Sequence, residues 1–513
     1  MQYFIGIDIG TGSTKAVAIT PAGDVLHSEH ASYPTLTPRA QYSEQAPELI
    51  WQAFLKCLQR VVRHLGEPPR AIALSSAMHS LLPVDATGTP LMNMITWADN
   101  RSSEIAEQIR NSSMSELLYD QTGTPIHTMS PLCKIIWLRE NAPDIFHKAH
   151  KFISIKEYVW FRLFGVFEAD HSIASATGLF DIVKLTWNAN ALNLCQISED
   201  KLSDLVSTAA SRSGLPADIE QQLGLTPDTQ FVVGASDGCL ANLGSFATAP
   251  GVAALTIGTS GAIRLANSTP TSNFSAMTFN YRLDEDTFIS GGPINNGGVV
   301  LKWYVERFLQ KELVTAADYE AVLAELNNAP PGAQGLIFLP YLLGERAPIW
   351  NSEACGVFFG ITARHTQAHF TRAVIEGISL ALYHIAQSLD ESGLHIERIH
   401  VSGGFVRSPQ WMQLLADIFG KPIGLVSTED ASAIGAAYLA MKSLGVITSY
   451  AELDGTLTTI FYPEPENHRV YLDKNFPLYR NLYKHLMLDM VVRNEMYASA
   501  PTENYAEQNP INR

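Results

Sequence analysis

The chain has 513 residues, 46% of them hydrophobic and 17% charged, with 35 Lys+Arg against 51 Asp+Glu and a formal net charge of −16. That length and composition bury a core in two or three lobes, which excludes a disordered or fibrous protein. An acidic scaffold repels nucleic acid and anionic membranes, so any anionic ligand must be held by a local site.

The five cysteines (Cys57, Cys133, Cys195, Cys239, Cys355) are scattered, odd in number and form no C-x-x-C pair. Free thiols in a reducing compartment are expected, without a zinc site or a disulfide framework. The opening MQYFIGIDIG has no basic n-region, and no run of 18 apolar residues occurs. A cytoplasmic location without membrane spans is therefore expected.

In chain order, Phe4, Ile5, Ile7 and Ile9 form a short apolar run and AVAIT (16–20) a second, joined by GTGSTK. The turn PAGD (21–24) leads into VLHSEHASY, so an antiparallel meander is predicted. From Pro47, Leu49, Ile50, Phe54, Leu55, Leu58, Val61, Val62 and Leu65 recur at helical spacing, and the strand AIALSS (71–76) follows. The fold class is α/β.

The turn Gly10-Thr11-Gly12-Ser13-Thr14 offers backbone N–H groups and hydroxyls to one point, as phosphate-binding nests do. Lys15 adds a positive charge, and Asp8 is placed to hold Mg²⁺ through water. The string fits neither a Walker loop nor G-x-G-x-x-G. An ordinary hairpin with a solvated lysine is the competing reading.

SSAMHSLLPVD (75–85) ends a strand with Met78 and His79, and ITWADNRS (95–102) carries Trp97, Asp99 and Arg101 at alternate positions. If extended, these three point one way and suit a polyhydroxylated ligand. A surface Asp99–Arg101 ion pair with Trp97 in the core is the alternative. Asp237, after the apolar strand FVVGA, is either a helix cap or a general base on a substrate hydroxyl.

VAALTIGTSGAIRLAN (252–267) repeats the pattern of FIGIDIGTGSTKAVAIT (4–20): strand, Gly/Ser/Thr turn, strand. A duplication with a boundary near 245 is expected. SGGFVRSPQW (402–411) adds a glycine pair between a strand and a helix, where backbone can approach a flat or anionic ligand. KPIGLVS and the small-residue helix ASAIGAAYLAMKSLG are expected to close this second half. The last fourteen residues are polar and aperiodic.

GIDIGTGSTKA, SAMHS, ITWADNR, GASDG, IGTSG and SGGFVRSPQWMQLLAD resemble, in order and spacing, the FGGY carbohydrate kinases. The resemblance runs from about residue 3 to about residue 485. It implies two ribonuclease-H-like lobes of the actin/hexokinase superfamily with a central cleft. The N-terminal lobe (1–245) would carry the sugar site and first phosphate turn, the C-terminal lobe (246–490) the nucleotide, and 491–513 would be a polar tail. KFISIKEYVWFRLFG (151–165), DHSIASATGLFDI (170–182) and the Met-His-Ser of SAMHS resemble the gluconate kinase branch.

The resemblance implies ATP-dependent phosphorylation of gluconate to 6-phosphogluconate. Asp237 would be the general base and Asp8 the catalytic carboxylate that places Mg²⁺. Thr11, Ser13, Thr14 and Lys15 would meet the phosphates, with Gly258, Thr259 and Ser260 as the opposing turn. Gly403 and Gly404 would lie against ribose and α-phosphate. Gly298 would fall near the nucleotide, as would Ala433 and Gly435 on the adenine side. Met78, His79, Trp97, Asp99 and Arg101 would line the sugar pocket, with Arg101 gripping a substrate carboxylate. Xylulose or another ketose or polyol is the alternative acceptor, and a non-catalytic ATP-gated scaffold or sugar sensor the alternative class. Partners are a small sugar or sugar acid, with no nucleic acid or membrane, and a homodimer as base-rate expectation.

Overall fold

The computed structural model describes residues 2–312, 315–426, 430–453, 455 and 457–497. The chain forms two compact units that interleave in sequence. Unit 1 comprises Met1–Pro250, Leu265–Ser290 and Thr428–Gly455, and unit 2 comprises Gly251–Arg264, Gly291–Ser427 and Thr456–Arg513.

In unit 1 the sheet runs in the order Ser211–Arg212, Gln230–Ser236, Ala71–Ser76, Phe4–Ile9, Ser13–Ile19, Val25–Ser32. The last three strands are the predicted antiparallel meander, while Phe4–Ile9, Ala71–Ser76 and Gln230–Ser236 run parallel. Strand residues alternate between two cores. Ile5, Ile7 and Ile9 meet the helix Pro47–Leu65 through Ile50, Phe54, Leu58 and Val61. Phe4, Val17 and Ile19 face the opposite core with Ala433, Ala436 and Ala437. A sheet covered on both faces needs apolar residues throughout, which is why FIGIDI and AIALSS read as near-continuous hydrophobic runs.

The helix Pro47–Leu65 starts with proline in its first turn and stops at Gly66 in the left-handed conformation. The small-residue helix Ala431–Ser443 belongs to unit 1, not to the second half that its position in sequence suggests. Its alanines and glycine let it lie against the sheet. A Cβ on Gly6 would stand 1.7 Å from the Ala433 carbonyl oxygen. Ala433 and Gly435 are therefore buried in this packing, which removes them from the expected adenine contact.

A second sheet has the hydrogen-bonded order Phe279–Arg282, Phe288–Ile294, Gly261–Asn267, Val252–Ile257, Arg398–Ser402, Ile423–Val426, Leu457–Phe461. Val252–Ile257, Arg398–Ser402 and Ile423–Val426 are parallel. Apart from the strands Ser211–Arg212 in the first sheet and Phe279–Arg282 and Leu457–Phe461 in the second, both sheets share the order third, second, first, fourth, fifth, in agreement with two ribonuclease-H-like lobes built on the repeated hairpin. The helix Gln367–Glu391 is buried on all sides over most of its length, with Val374, Ile378, Leu382, Ile385 and Leu389 among its buried residues. The expected tail begins as the end of the helix Phe476–Tyr497, and residues 498–513 lie outside the described residues. Among the described residues no helix is long and apolar enough to cross a membrane. Cys57, Cys133, Cys195 and Cys239 are buried, and none of the five cysteines is in a disulfide among the described residues.

Candidate active site

Strand register assembles the unit 1 site. Ile9 stands opposite Ser76, and Ser76 opposite Ser236, so three neighbouring strands end level with one another. The Gly10–Gly12 turn, Met78–His79 and Asp237 therefore leave the sheet together at the carboxyl ends of its parallel strands, the usual place for ligands in open α/β sheets. Unit 2 repeats this. Thr256 pairs with Ser402, so the Gly258 turn and Gly403–Gly404 emerge at one edge.

Within the first turn, the Gly10 N–H donates to the Ser13 carbonyl at 3.0 Å and closes the hairpin. The Thr11 hydroxyl accepts the Trp97 indole N–H at 2.9 Å. Thr14 is fully buried against Tyr33, so its hydroxyl does not face the turn as expected. Strand alternation turns it inward. Lys15 is ion-paired with Asp430 at 2.8 Å, which directs its charge to that carboxylate. Gly12 is exposed and Ser13 half-buried.

Asp8 accepts the Ser75 hydroxyl at 2.7 Å through Oδ1. Burial pushes its carboxyl above the usual range, opposed by the Ser75 bond and by Lys15. Among the described residues no three His, Cys, Asp or Glu side chains gather as a metal site. Magnesium held mainly by phosphates and water needs only one or two carboxylates. A half-buried Asp8 beside a glycine turn fits that requirement.

The two candidate sugar motifs are held by one side chain that no local motif marks. Lys134, fully buried, donates to the carbonyls of His79 at 2.6 Å and Thr96 at 2.8 Å. Burial pushes its ammonium down to about 7, against the pull of Asp99. His79 adopts φ 65°, an uncommon conformation for histidine, and its Nδ1 lies 2.7 Å from the Ala176 carbonyl. Met78 and Trp97 line one small cavity with Gly10, Thr11 and Gln45.

The segment Trp97–Arg101 is a turn, not an extended run. Asp99 is fully buried and accepts both the Arg101 backbone N–H and its Nε and Nη2. Arg101 Nη2 also reaches Glu44 at 2.6 Å, and its guanidinium stacks 3.8 Å from the Tyr42 ring centroid. The fork expected to grip a substrate carboxylate is thus used within the chain. Two carboxylates around one guanidinium leave a net negative cluster, a poor partner for a further anion. Asp99 folds the turn because its short side chain bonds the backbone two residues on.

Asp237 is the first residue of the helix Asp237–Gly244 and half-buried. Its Oδ1 accepts the Gly238 N–H at 2.7 Å, and its carbonyl accepts the Ser432 hydroxyl at 3.1 Å. Ser236, the residue before this helix, makes no side-chain capping bond to it.

Unit 2 contains a cavity of about 900 Å³, lined by Gly258, Thr259, Gly298, Trp303 and Gly404. That volume is in the range of small-molecule and cofactor sites. The Gly298 N–H donates to the Gly258 carbonyl at 2.7 Å and fixes the turn. Ser260 supplies the carbonyl that the Gly258 N–H bonds at 2.8 Å. Gly403 has φ 116°, which only glycine adopts readily. A Cβ on Gly258 or Gly404 would meet nothing within 4 Å, so both backbones face open space. A flat or phosphorylated ligand can approach them closely.

Two family models match, the FGGY family of carbohydrate kinases, N-terminal domain over residues 3–244 and C-terminal domain over residues 253–444. A gluconokinase of Bacillus licheniformis is 40% identical over 94% of this chain and 96% of its own. The crystal structure of gluconate kinase from Lactobacillus acidophilus has a TM-score of 0.90 at 34% identity, covering 94% of this chain and 98% of that one. The ligand-bound xylulose kinase from the same organism has a TM-score of 0.91 at 34% identity, covering 95% and 99%.

Proposed function

The chain belongs to the FGGY family of carbohydrate kinases, and from that premise we propose that it transfers the γ-phosphoryl group of ATP to gluconate, giving 6-phosphogluconate and ADP. The observation that carries the choice of acceptor is the 40% identity to a gluconokinase along nearly the whole chain. A xylulose or other ketose or polyol kinase is the second reading, favoured by the equally similar xylulose kinase structure.

In this reading unit 1 carries the acceptor and unit 2 the nucleotide. Met78, His79 and Trp97 contact the polyol, an indole face and a thioether supplying apolar cover beside polar atoms. Gly258, Thr259, Gly298, Gly403 and Gly404 cradle the nucleotide, because unsubstituted backbone lets N–H groups reach phosphate oxygens. Magnesium, bound by phosphates and Asp8, would supply the charge that the acidic chain lacks. Gly12 and Ser13 face the transferred group, while Thr11 holds Trp97 in place.

Asp237 accepts the proton of the attacking hydroxyl and orients its oxygen. The transition state of phosphoryl transfer is loose and largely metaphosphate-like, so catalysis is mainly positioning and charge neutralisation. Removing the carboxylate then costs turnover with little effect on nucleotide binding. Asp237→Ala is expected to lower kcat by more than about 10³-fold with the KM for ATP unchanged. A variant with a tenth of the parent turnover would remove Asp237 from the role of base.

A further inference from the structure

We infer that Lys156, Asp170 and Ser172 are positioning residues for Asp237, an inference that rests on the reading of Asp237 as the base. All three come from the stretches 151–165 and 170–182, which also supply Ile155 to the small cavity beside Met78 and Trp97 and the Ala176 carbonyl to His79.

The strand Gln230–Ser236 is irregular just before it delivers Asp237. Ser211 and Arg212 pair only with Val232 and Phe231. Gly234 then takes φ 73°, and a side chain there would collide with the Leu74 carbonyl. Register with Ala71–Ser76 resumes, shifted, at Ala235. A bulge of this kind bends the strand and re-aims the residues beyond it.

The peptide group joining Ala235 to Ser236 is held at both ends by side chains. Its carbonyl accepts Lys156 Nζ at 3.0 Å, and its N–H donates to the Ser172 hydroxyl oxygen at 3.0 Å. The Ser172 hydroxyl also lies 3.0 Å from Ser236 Oγ as donor. One carboxylate organises both clamps. Asp170 Oδ2 stands 2.8 Å from Lys156 Nζ, while Oδ1 accepts the N–H groups of Ser172 and Ile173 and caps the helix His171–Ser175.

The side chains of Lys156 and Asp170 are 1% and 2% exposed. Buried ion pairs often give way to apolar packing with no loss of stability. Stability alone therefore does not account for a buried charge pair at this point, one peptide before the base. Fixing that peptide fixes the start of the helix and the direction of the Asp237 carboxylate, and small displacements of a reacting group are costly in rate.

The test is the double variant Lys156→Met with Asp170→Asn, which removes both charges and keeps a helix-capping side chain. Melting temperature, both KM values and kcat are measured on the full chain, with Asp237→Asn assayed in parallel. The expected result is a fold that melts close to the parent, KM values within about twofold, and kcat lower by about tenfold or more. A purely structural role would lower the melting temperature and leave kcat per folded molecule intact, and that outcome overturns the inference. If the double variant does not fold, Ser172 decides. Ser172→Ala is expected to lose kcat and Ser172→Thr to recover it, whereas full kcat in Ser172→Ala overturns the proposal. Turnover retained by Asp237→Asn would instead withdraw the base reading, and this inference with it.

Discussion

Lys134 ties the two halves of the proposed acceptor site together with an ammonium group that bonds to carbonyls instead of carboxylates. Its proton is held to about pH 7 in the folded chain and to about 10.5 when exposed. Between those values unfolding takes up a proton, so this group makes stability rise with pH. Below about pH 7 the folded chain carries the whole cost of a buried charge. Lys134→Met abolishes the effect. Between pH 7 and 9 the parent should gain up to about 1.4 kcal/mol per pH unit relative to the variant, read by denaturant unfolding at each pH. Parallel stability curves would show that the buried ammonium does not titrate in this window. Arg101 behaves differently, because its charge is compensated. Arg101→Met strands Asp99 and Glu44 and should destabilise the fold by about 3–5 kcal/mol. Little loss of stability would mean that the cluster is solvated.

Among the elements, the hairpins and their glycine turns are legible in the sequence, since apolar alternation and Gly/Ser/Thr turns are local signals. The helix from Pro47 to Leu65 and the strand 71–76 match their predicted positions for the same reason. The register that brings Gly10, Ala77 and Asp237 to one edge is a long-range property that a single sequence does not display. The segment Trp97–Arg101 has the alternation of a strand but forms a turn, because a buried Asp99 bonding its own neighbours competes with strand formation. Lys134, Lys156 and Glu44 escape a reading of the sequence because nothing local marks a charged residue as buried. The placement of Ala431–Ser443 likewise depends on a distant contact. Gly6 admits the Ala433 carbonyl, so Gly6→Ala forces backbone to move and should cost more than about 2 kcal/mol of stability. An unaltered unfolding midpoint would mean that the helix shifts freely.

At the scale of the whole molecule, two units of like topology are assigned unlike ligands, and that division has a kinetic signature. Gly404→Val should fill part of the unit 2 cavity and raise the KM for ATP while the acceptor KM holds. Trp97→Ala should do the reverse. Equal effects on both constants in either variant would contradict the division. An acidic chain of net charge −16 acting on the anion gluconate must discriminate by local groups, not by its overall field. The most direct measurement is ATP-dependent ADP formation by the purified protein with gluconate, xylulose, ribulose, fuculose, glycerol and glucose, compared as kcat/KM. The account predicts that gluconate leads the others by about tenfold or more. A preference for xylulose or any neutral polyol would contradict it.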